Sequence, residues 1–326
     1  MTAGHGPNIG HGFVKYVLID GSGEERALVM PAQISPAQRS VAGSLTAAQS
    51  IEVGGRSYWT GDDAQLGGSP LTILAADRLE HPVFIPALVA SAVSRFGYLN
   101  GAAAGVCVTG LPATWASDLE RARALGKRLR EGHPAYTSIR VIPEPLGLIY
   151  AALLDTDGRI VGDSALQAGA IGVIDLGHHT VDVAIVRSML PVANALDTWQ
   201  LGTARALSGI RSQLSARTER ELSLYDTDGA VRDGWISVAG QTVLLPGGWD
   251  QPLIELADQI VARLTESWGN GASLDTILIG GGGAELPILT AAIQARFRHA
   301  VVVDRPQTAI ARGYARLARR YAAEQR

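Results

Sequence analysis

Three glycine-centred turns in this chain carry the residue types that hold phosphate groups. The first is Asn8-Ile9-Gly10-His11-Gly12-Phe13-Val14-Lys15, and the second is Asp175-Leu176-Gly177-His178-His179-Thr180-Val181-Asp182. The third is Gly280-Gly281-Gly282-Gly283, directly after Ile277-Leu278-Ile279. Glycine lets a backbone approach a ligand closely, and the N–H groups of a tight turn can face phosphate oxygens. A lysine such as Lys15 adds a point charge for terminal phosphates. A carboxylate at a strand end, such as Asp175, can hold the water shell of Mg²⁺, which takes oxygen ligands and keeps several waters. Any one of these turns alone reads as a structural hairpin. The order and spacing of all three, each beside an apolar run, is the specific signal.

The elements that must position these turns follow from hydrophobic spacing. Phe13 to Ile19 reads as a strand, and Ala27 to Ala32 as a second short one. The stretch 35–50 is small, polar and without a period, so a loop is expected there. Residues 51–60 alternate around Gly54-Gly55 as a hairpin. Val83, Leu88, Val89, Ala92, Val93 and Phe96 recur at helical spacing. Gly105 to Thr109 is expected to be a buried strand closed by Gly110-Leu111-Pro112. Ser117 to Glu131 reads as a charged amphipathic helix with Asp118 and Glu120 in its first turn. A strand at Ile139 to Ile142 precedes Glu144-Pro145 and a helix reaching Leu154. The pattern then restarts with strands at Ala170 to Asp175 and Thr180 to Val186. Helices are expected at 203–221, 253–268, 286–297 and 307–322, and strands at 235–245, 276–279 and 300–303. The chain thus contains two halves, each opening with strand-turn-strand and continuing with α/β units. The boundary falls within 155–167, which gives domains of 1–165 and 166–326.

Composition narrows the function classes. A formal net charge of −3 provides no general basic field for nucleic acid or an anionic membrane. Arg319, Arg320 and Arg326 are read as a solvated helix end. The single cysteine, Cys107, lies in the apolar run Gly105-Val106-Cys107-Val108 and reads as a buried strand residue. One cysteine excludes an intrachain disulfide and a cysteine-based metal site, and suits a reducing compartment. Residues 1–12 are polar and glycine-rich, unlike a signal peptide, and His5 is read as part of a flexible terminus. No run of about 18 apolar residues suggests a membrane span. A cytoplasmic protein is expected. His178 and His179 are adjacent, so on a strand their side chains would face opposite sides. They read as loop residues with one imidazole near phosphate.

Taken together, the turns resemble those of the actin superfamily, which includes sugar kinases and heat-shock chaperone ATPases. Asn8 to Lys15 resembles the first phosphate loop, Asp-x-Gly-x-x-x-x-Lys. Asp175 to Asp182 resembles the second, Asp-x-Gly-x-x-Thr-x-Asp, and Gly280 to Gly282 the adenosine motif. Pro143-Glu144-Pro145-Leu146-Gly147 with Tyr150-Ala151 resembles the helix connecting the two domains, and Pro306, Ala309 and Gly313 the second connecting helix. Gly110-Leu111-Pro112 and Tyr58-Trp59-Thr60-Gly61-Asp62-Asp63-Ala64 are similar to the bacterial and archaeal plasmid-segregation actins of ParM type. The resemblance covers roughly residues 8 to 317.

This resemblance implies an α/β actin-like fold. Two related domains would each hold a mixed sheet flanked by helices, with nucleotide in the cleft between them. Small subdomains are expected at about 33–80 and 205–270, with the C-terminal helix returning to the first domain. It implies ATP and Mg²⁺ as ligands, with Lys15 on the β/γ-phosphates and Asn8, Gly10, His11 and Gly12 in the first clasp. Gly177, His178, His179 and Thr180 would form the second clasp. Asp175 would hold Mg²⁺ through water, and Gly280, Gly281 and Gly282 would pass under adenine or ribose. Glu144 would orient or deprotonate the attacking water, and Asp182 would help to order it. The reaction implied is phosphoryl transfer to water, in which the protein mainly positions and neutralises charge. The implied partners are copies of the same chain in a filament and a DNA-bound adaptor, without direct nucleic-acid or membrane binding.

The sequence departs from that pattern at Asn8, where aspartate is usual. A neutral amide attracts Mg²⁺ less and accepts no proton, so weakened hydrolysis is expected rather than lost nucleotide binding. The preceding residues 1–7 also lack the usual apolar first strand, so this strand is expected to be short. A small-molecule kinase on the same fold, or a nucleotide-binding scaffold, are the competing readings.

Overall fold

The computed structural model describes the chain outside residues 1, 38–48, 74–75, 98–103, 116, 162–163 and 326. Most of the loop expected over 35–50, and Arg326, lie outside the described residues. The chain divides into two compact units, Met1–Gln167 with Thr308–Arg326, and Ala168–Gln307. Unit 1 begins with β1 (Ala3–Ile9), β2 (Phe13–Ile19) and β3 (Glu25–Pro31). A small sheet follows, made of β4 (Ile34–Pro36), β5 (Ile51–Val53) and β6 (Arg56–Thr60). Next come α1 (Phe84–Arg95), β7 (Gly105–Leu111), α2 (Leu119–Gly132), β8 (Tyr136–Pro143), α3 (Leu146–Leu153) and α4 (Ser164–Ala168). Unit 2 holds β9 (Ala170–Leu176), β10 (Val181–Arg187), β11 (Leu190–Trp199), α5 (Thr203–Thr218) and α6 (Leu224–Asp233). It continues through β12 (Trp235–Val238), β13 (Gln241–Leu244), α7 (Gln251–Trp268), β14 (Thr276–Gly280), α8 (Pro287–Arg296) and β15 (Ala300–Val302). Helix α9 (Pro306–Glu324) then packs in unit 1.

The main sheets of the two units share one connectivity. Their orders are β3-β2-β1-β7-β8 and β11-β10-β9-β14-β15. In each, two antiparallel pairings are followed by two parallel ones. The carboxyl ends of β1, β7 and β8 therefore share one edge of the first sheet, and those of β9, β14 and β15 one edge of the second. In open α/β sheets that edge is where ligands bind.

The opening residues correct the expectation of a short strand and a flexible terminus. Ala3–Ile9 is the buried central strand of its sheet, and His5 is 1% exposed. The reason lies in its alternation. A Cβ on Gly6 would overlap the Ala311 carbonyl oxygen, and one on Gly4 would press on that of Ala315. These glycines let the α9 backbone rest directly on the strand, while Ala3, His5 and Ile9 face the opposite side with Tyr16. The composition that hid the strand from hydrophobic patterning is what its packing requires.

Helix α9 is fixed by buried arginines along its length, and its last residues, 323–325, are exposed. Arg312 and Arg316 both donate to the Glu25 carboxylate, at 2.8 and 3.2 Å. Arg319 is 4% exposed and donates to the carbonyls of Thr2 and Asp20, with Asp157 at 3.3 Å. The expectation of a solvated basic tail is therefore wrong at Arg319. Its charge is carried inward because backbone and carboxylate acceptors surround it. Helices α3 and α9 cross at Gly147 and Gly313, where a Cβ on Gly313 would overlap the Gly147 carbonyl. On α2, Asp118 is the N-cap and accepts from the N–H groups of Glu120 and Arg121. Strand β11 and helix α6 were not legible in the sequence; β11 is largely exposed and lacks clean alternation. Among the described residues, no helix is long and apolar enough to cross a membrane.

Candidate functional site

In unit 1 the first glycine turn is the β1–β2 hairpin. Asn8 and Lys15 are register partners across it, so their side chains share one face of the sheet. The turn closes when the Gly10 N–H donates to the Phe13 carbonyl at 3.0 Å. A Cβ on Gly10 would lie 3.3 Å from Lys15 Nζ and 3.9 Å from Asn8 Oδ1. The glycine thus keeps open a small space bordered by an ammonium and an amide oxygen. Asn8 is buried, whereas Lys15, His11 and Gly12 are half-buried. The Gly12 carbonyl accepts from the Ala32 N–H at 2.9 Å, which ties the hairpin to the end of β3.

Two further residues of unit 1 hold this edge. Thr109 on β7 donates to the Pro7 carbonyl at 2.7 Å, and buried Arg78 donates to the Ile9 carbonyl at 2.9 Å. Arg78 carries no local sequence signal, because a lone arginine in a stretch of mixed polarity points to no partner. Glu144 sits just past β8, with its N–H donating to the Leu111 carbonyl at 2.8 Å. Tyr314 of α9 donates to the Glu144 carbonyl at 3.4 Å, so backbone contacts on both sides fix where this carboxylate begins.

In unit 2 the second turn joins β9 to β10. Asp175 and Asp182 are register partners, which places both carboxylates on the same face at the carboxyl end of the central strand. Both are buried, at 8% and 1% exposure. Thr180 donates to Asp182 Oδ2 at 2.8 Å, and Thr198 of β11 to Oδ1 at 2.6 Å. Asp182 is therefore gripped at both oxygens. Thr198 escaped the sequence reading because β11 did. The turn itself is tight: the Gly177 N–H donates to the Thr180 carbonyl at 2.9 Å, and a Cβ there would press on that oxygen at 2.6 Å.

The carbonyls of Gly177, His178 and His179 accept from the N–H groups of Thr203, Ala204 and Gly202. The start of α5 thus braces the loop from behind. A Cβ on Gly202 would overlap the His178 and His179 backbone, so this bracing also depends on glycine.

The third turn lies beside the second. Gly280 on β14 is the register partner of Asp175, and Gly281 has φ of +86°, a conformation glycine adopts without cost. A Cβ on Gly281 would overlap Asp175 Oδ1, so the absent side chain leaves space next to that carboxylate. The Gly281 N–H donates to the Pro306 carbonyl at 2.9 Å. Arg232 of α6 donates to the Gly282 carbonyl at 3.2 Å and pairs with Asp228 and Glu285. Unit 2 accordingly gathers Asp175, Gly177, Thr180, Asp182, Gly280, Gly281 and Gly282 at one sheet edge, and unit 1 gathers Asn8, Gly10 and Lys15.

Comparison with known proteins is consistent with this geometry. Residues 173–290 match the family described as archaeal actin homologue MreB-like, C-terminal. No curated protein matches the chain. Among solved structures, the archaeal actin homologue Ta0583 in complex with ADP is similar at 20% identity with a TM-score of 0.70, over 100% of this chain and 99% of that one. A subunit of the 15-stranded ParM filament from Clostridium botulinum is similar at 17% identity and 0.69, over 98% and 99% of the two chains. Bacillus thuringiensis ParM with ATP gives 14% and 0.64, over 99% of each. The fold is actin-like, as the sequence resemblance implied.

Proposed function

From this actin-like fold and the archaeal actin-homologue match, we propose that the chain binds ATP, assembles with copies of itself and hydrolyses ATP to ADP and phosphate. The cellular setting proposed is segregation of plasmid or other DNA through an adaptor, or cytoskeletal positioning. The observation that carries the nucleotide reading is the buried pair Asp175 and Asp182 at the carboxyl end of β9, with Gly281 leaving space beside Asp175. That pair lies inside the stretch matching the archaeal actin-homologue family. Similar folds were solved with ADP, with ATP and as a filament.

The donor set suits the ligands. Carboxylate oxygens of Asp175 are hard donors of the kind Mg²⁺ takes, directly or through water. Lys15 and the glycine hairpin at Gly10 and Gly12 suit phosphate oxygens. When bound, Mg-ATP supplies the transferable phosphoryl group and part of its charge compensation. The residues do the rest. In unit 1, Lys15 would bind the β/γ-phosphates, with Asn8, Gly10, His11 and Gly12 lining the clasp. Glu144, its backbone anchored at Leu111 and Tyr314, would orient a water and take its proton. In unit 2, Gly177, His178, His179 and Thr180 would line the second clasp. Asp182, immobilised by Thr180 and Thr198, can only accept further hydrogen bonds, so it would order water rather than donate. Gly280, Gly281 and Gly282 would run beneath adenine or ribose.

The test follows light scattering and phosphate release together after adding Mg-ATP to purified protein, beside the Glu144→Ala variant. Scattering should rise above a critical concentration in both proteins. Phosphate release should fall in the variant by about 10²–10⁴-fold, the usual contribution of a positioned base. Hydrolysis without assembly at any concentration would favour a kinase or monomeric switch. Assembly without hydrolysis would favour a nucleotide-binding scaffold, the reading to which the neutral Asn8 lends weight.

A further inference from the structure

Two surface patches away from the glycine turns complement each other. The first is a groove of about 750 Å³ on unit 1, between α2 and β8. Among the described residues, strand β8 is the edge of its sheet and pairs with β7. The floor of the groove is apolar. Leu119, Ala122 and Gly126 recur at helical spacing on α2, while Ile139 and Val141 stand two apart on β8. Leu119 is 67% exposed. The rim is cationic, formed by exposed Arg123, Lys127 and Arg130. Helix α2 carries five basic side chains against two carboxylates. The one carboxylate in the groove, Glu131, is already engaged by Arg128 at 2.9 Å.

The second patch lies on unit 2. Trp235 and Leu244 are register partners on one face of the β12–β13 hairpin and are 41% and 70% exposed. Asp233, also exposed, ends α6 two residues before Trp235. From Leu224 to Leu244, Arg232 is committed to Asp228 and Glu285, and Asp226 caps α6 with Ser223, which leaves Asp233 as the exposed charge beside Trp235. Side by side, Trp235 and Leu244 form a small exposed apolar patch that could seat on an apolar floor. Neither patch suits itself: a two-fold pairing would bring acidic against acidic, or basic against basic. Each suits the other.

We propose that the α2–β8 groove of one copy receives the β12–β13 hairpin of the next. Trp235 and Leu244 would lie on Leu119, Ala122, Ile139 and Val141, with Asp233 against Arg123 and Arg130. The inference rests on the self-assembly reading and adds the surfaces that meet. Since two different surfaces are used, the contact is heterologous and leaves one of each free on a pair of copies, as an extending polymer requires.

Charge reversal tests it in the full chain, by sedimentation and light scattering with Mg-ATP. Arg123→Glu combined with Arg130→Glu, or Asp233→Lys alone, should each raise the critical concentration by more than about tenfold, because like charges then meet at the contact. Combining all three substitutions should bring it back toward the original value. A second measurement does not depend on those variants. Chains carrying both Arg123→Cys and Asp233→Cys should give an oxidised ladder of covalent oligomers in Mg-ATP, since the native Cys107 is fully buried. If the unaltered protein assembles, yet the reversed variants assemble equally well and no ladder forms, these surfaces are not the contact and self-assembly stands without them. If the unaltered protein assembles under no nucleotide condition, both the self-assembly reading and the contact fall.

Discussion

Asn8 and Lys15 face each other across the first hairpin, with the amide oxygen and the ammonium both beside Gly10. A neutral amide there accepts hydrogen bonds but adds no negative charge for a hydrated cation. Asn8→Asp should therefore raise the rate of phosphate release by roughly tenfold, the low end of what outer-sphere metal partners contribute. It should leave nucleotide affinity nearly unchanged, and an unchanged rate would remove Asn8 as the limiting group. On the other face of β1, different chemistry applies. His5 Nδ1 lies 2.9 Å from the Tyr16 hydroxyl, which lies 2.6 Å from that of Tyr136. Burial pushes the Tyr16 and Tyr136 phenols and the Cys107 thiol well above their ordinary values of 10.0 and 9.0. These groups stay protonated in the fold but lose protons in the unfolded chain as pH rises. The folded state then binds more protons, so stability is fully present below pH 9 and falls above it. Each such group contributes a slope of about 1.4 kcal/mol per pH unit once its unfolded form ionises. Urea midpoints measured from pH 8 to pH 10.5 should fall and steepen above 10, and Cys107→Ala should flatten the segment between 9 and 10. A level profile across that range would show that these groups are reached by solvent.

At the scale of elements, the glycines of β1 set how closely α9 can approach. Gly6→Val places a Cβ where the Ala311 carbonyl oxygen already lies, with two methyl groups to accommodate beyond it. The helix must lift, and destabilisation of about 1–3 kcal/mol or more is expected from overpacking. Thermal melting would register it, and an unchanged melting temperature would mean that α9 does not bear on the strand. The same site shows why the sequence was only partly readable. Val14, Val17, Leu18 and Ile19 announce β2 through hydrophobic pattern, but the strand beside it, equally buried, is Ala-Gly-His-Gly-Pro-Asn-Ile. One of its faces is covered by a helix some 300 residues later, so no local window contains the reason for its glycines. Arg319 misleads in the same way, since its acceptors at Thr2, Asp20 and Asp157 are all remote in sequence. The first two glycine turns were legible because their closure is local: Gly10 bonds to Phe13 and Gly177 to Thr180. What the turns could not disclose was their bracing. Arg78 behind Ile9, Thr198 behind Asp182 and Arg232 behind Gly282 come from elements whose own sequences point nowhere near those partners.

Across the whole molecule, the shared strand connectivity of the two units does not extend to how the chain builds them. Unit 2 is continuous, Ala168–Gln307, whereas unit 1 needs both ends of the chain. One face of its sheet is covered by the core that includes α1 and α2 residues, and on the other face Val17 and Ile19 pack with Ala311 and Ala315 of α9. Removing 308–326 would uncover that apolar face. It would also take Arg312 and Arg316 from Glu25, and Arg319 from Asp157, leaving carboxylates that the fold holds partly buried. Losing one partner of such a pair is costly when the other stays desolvated, so the two effects act in the same direction. A chain ending at Gln307 should therefore lose amide-exchange protection in β1 and β2 while keeping it in β9, β10 and β14. The fragment 168–307 alone should unfold in one cooperative transition, because its core is drawn entirely from within that span. Protection persisting in β1 and β2 of the truncated chain would show that the α1 and α2 side suffices to hold unit 1. Loss of protection in β9 as well would show that unit 2 depends on contacts beyond its own core.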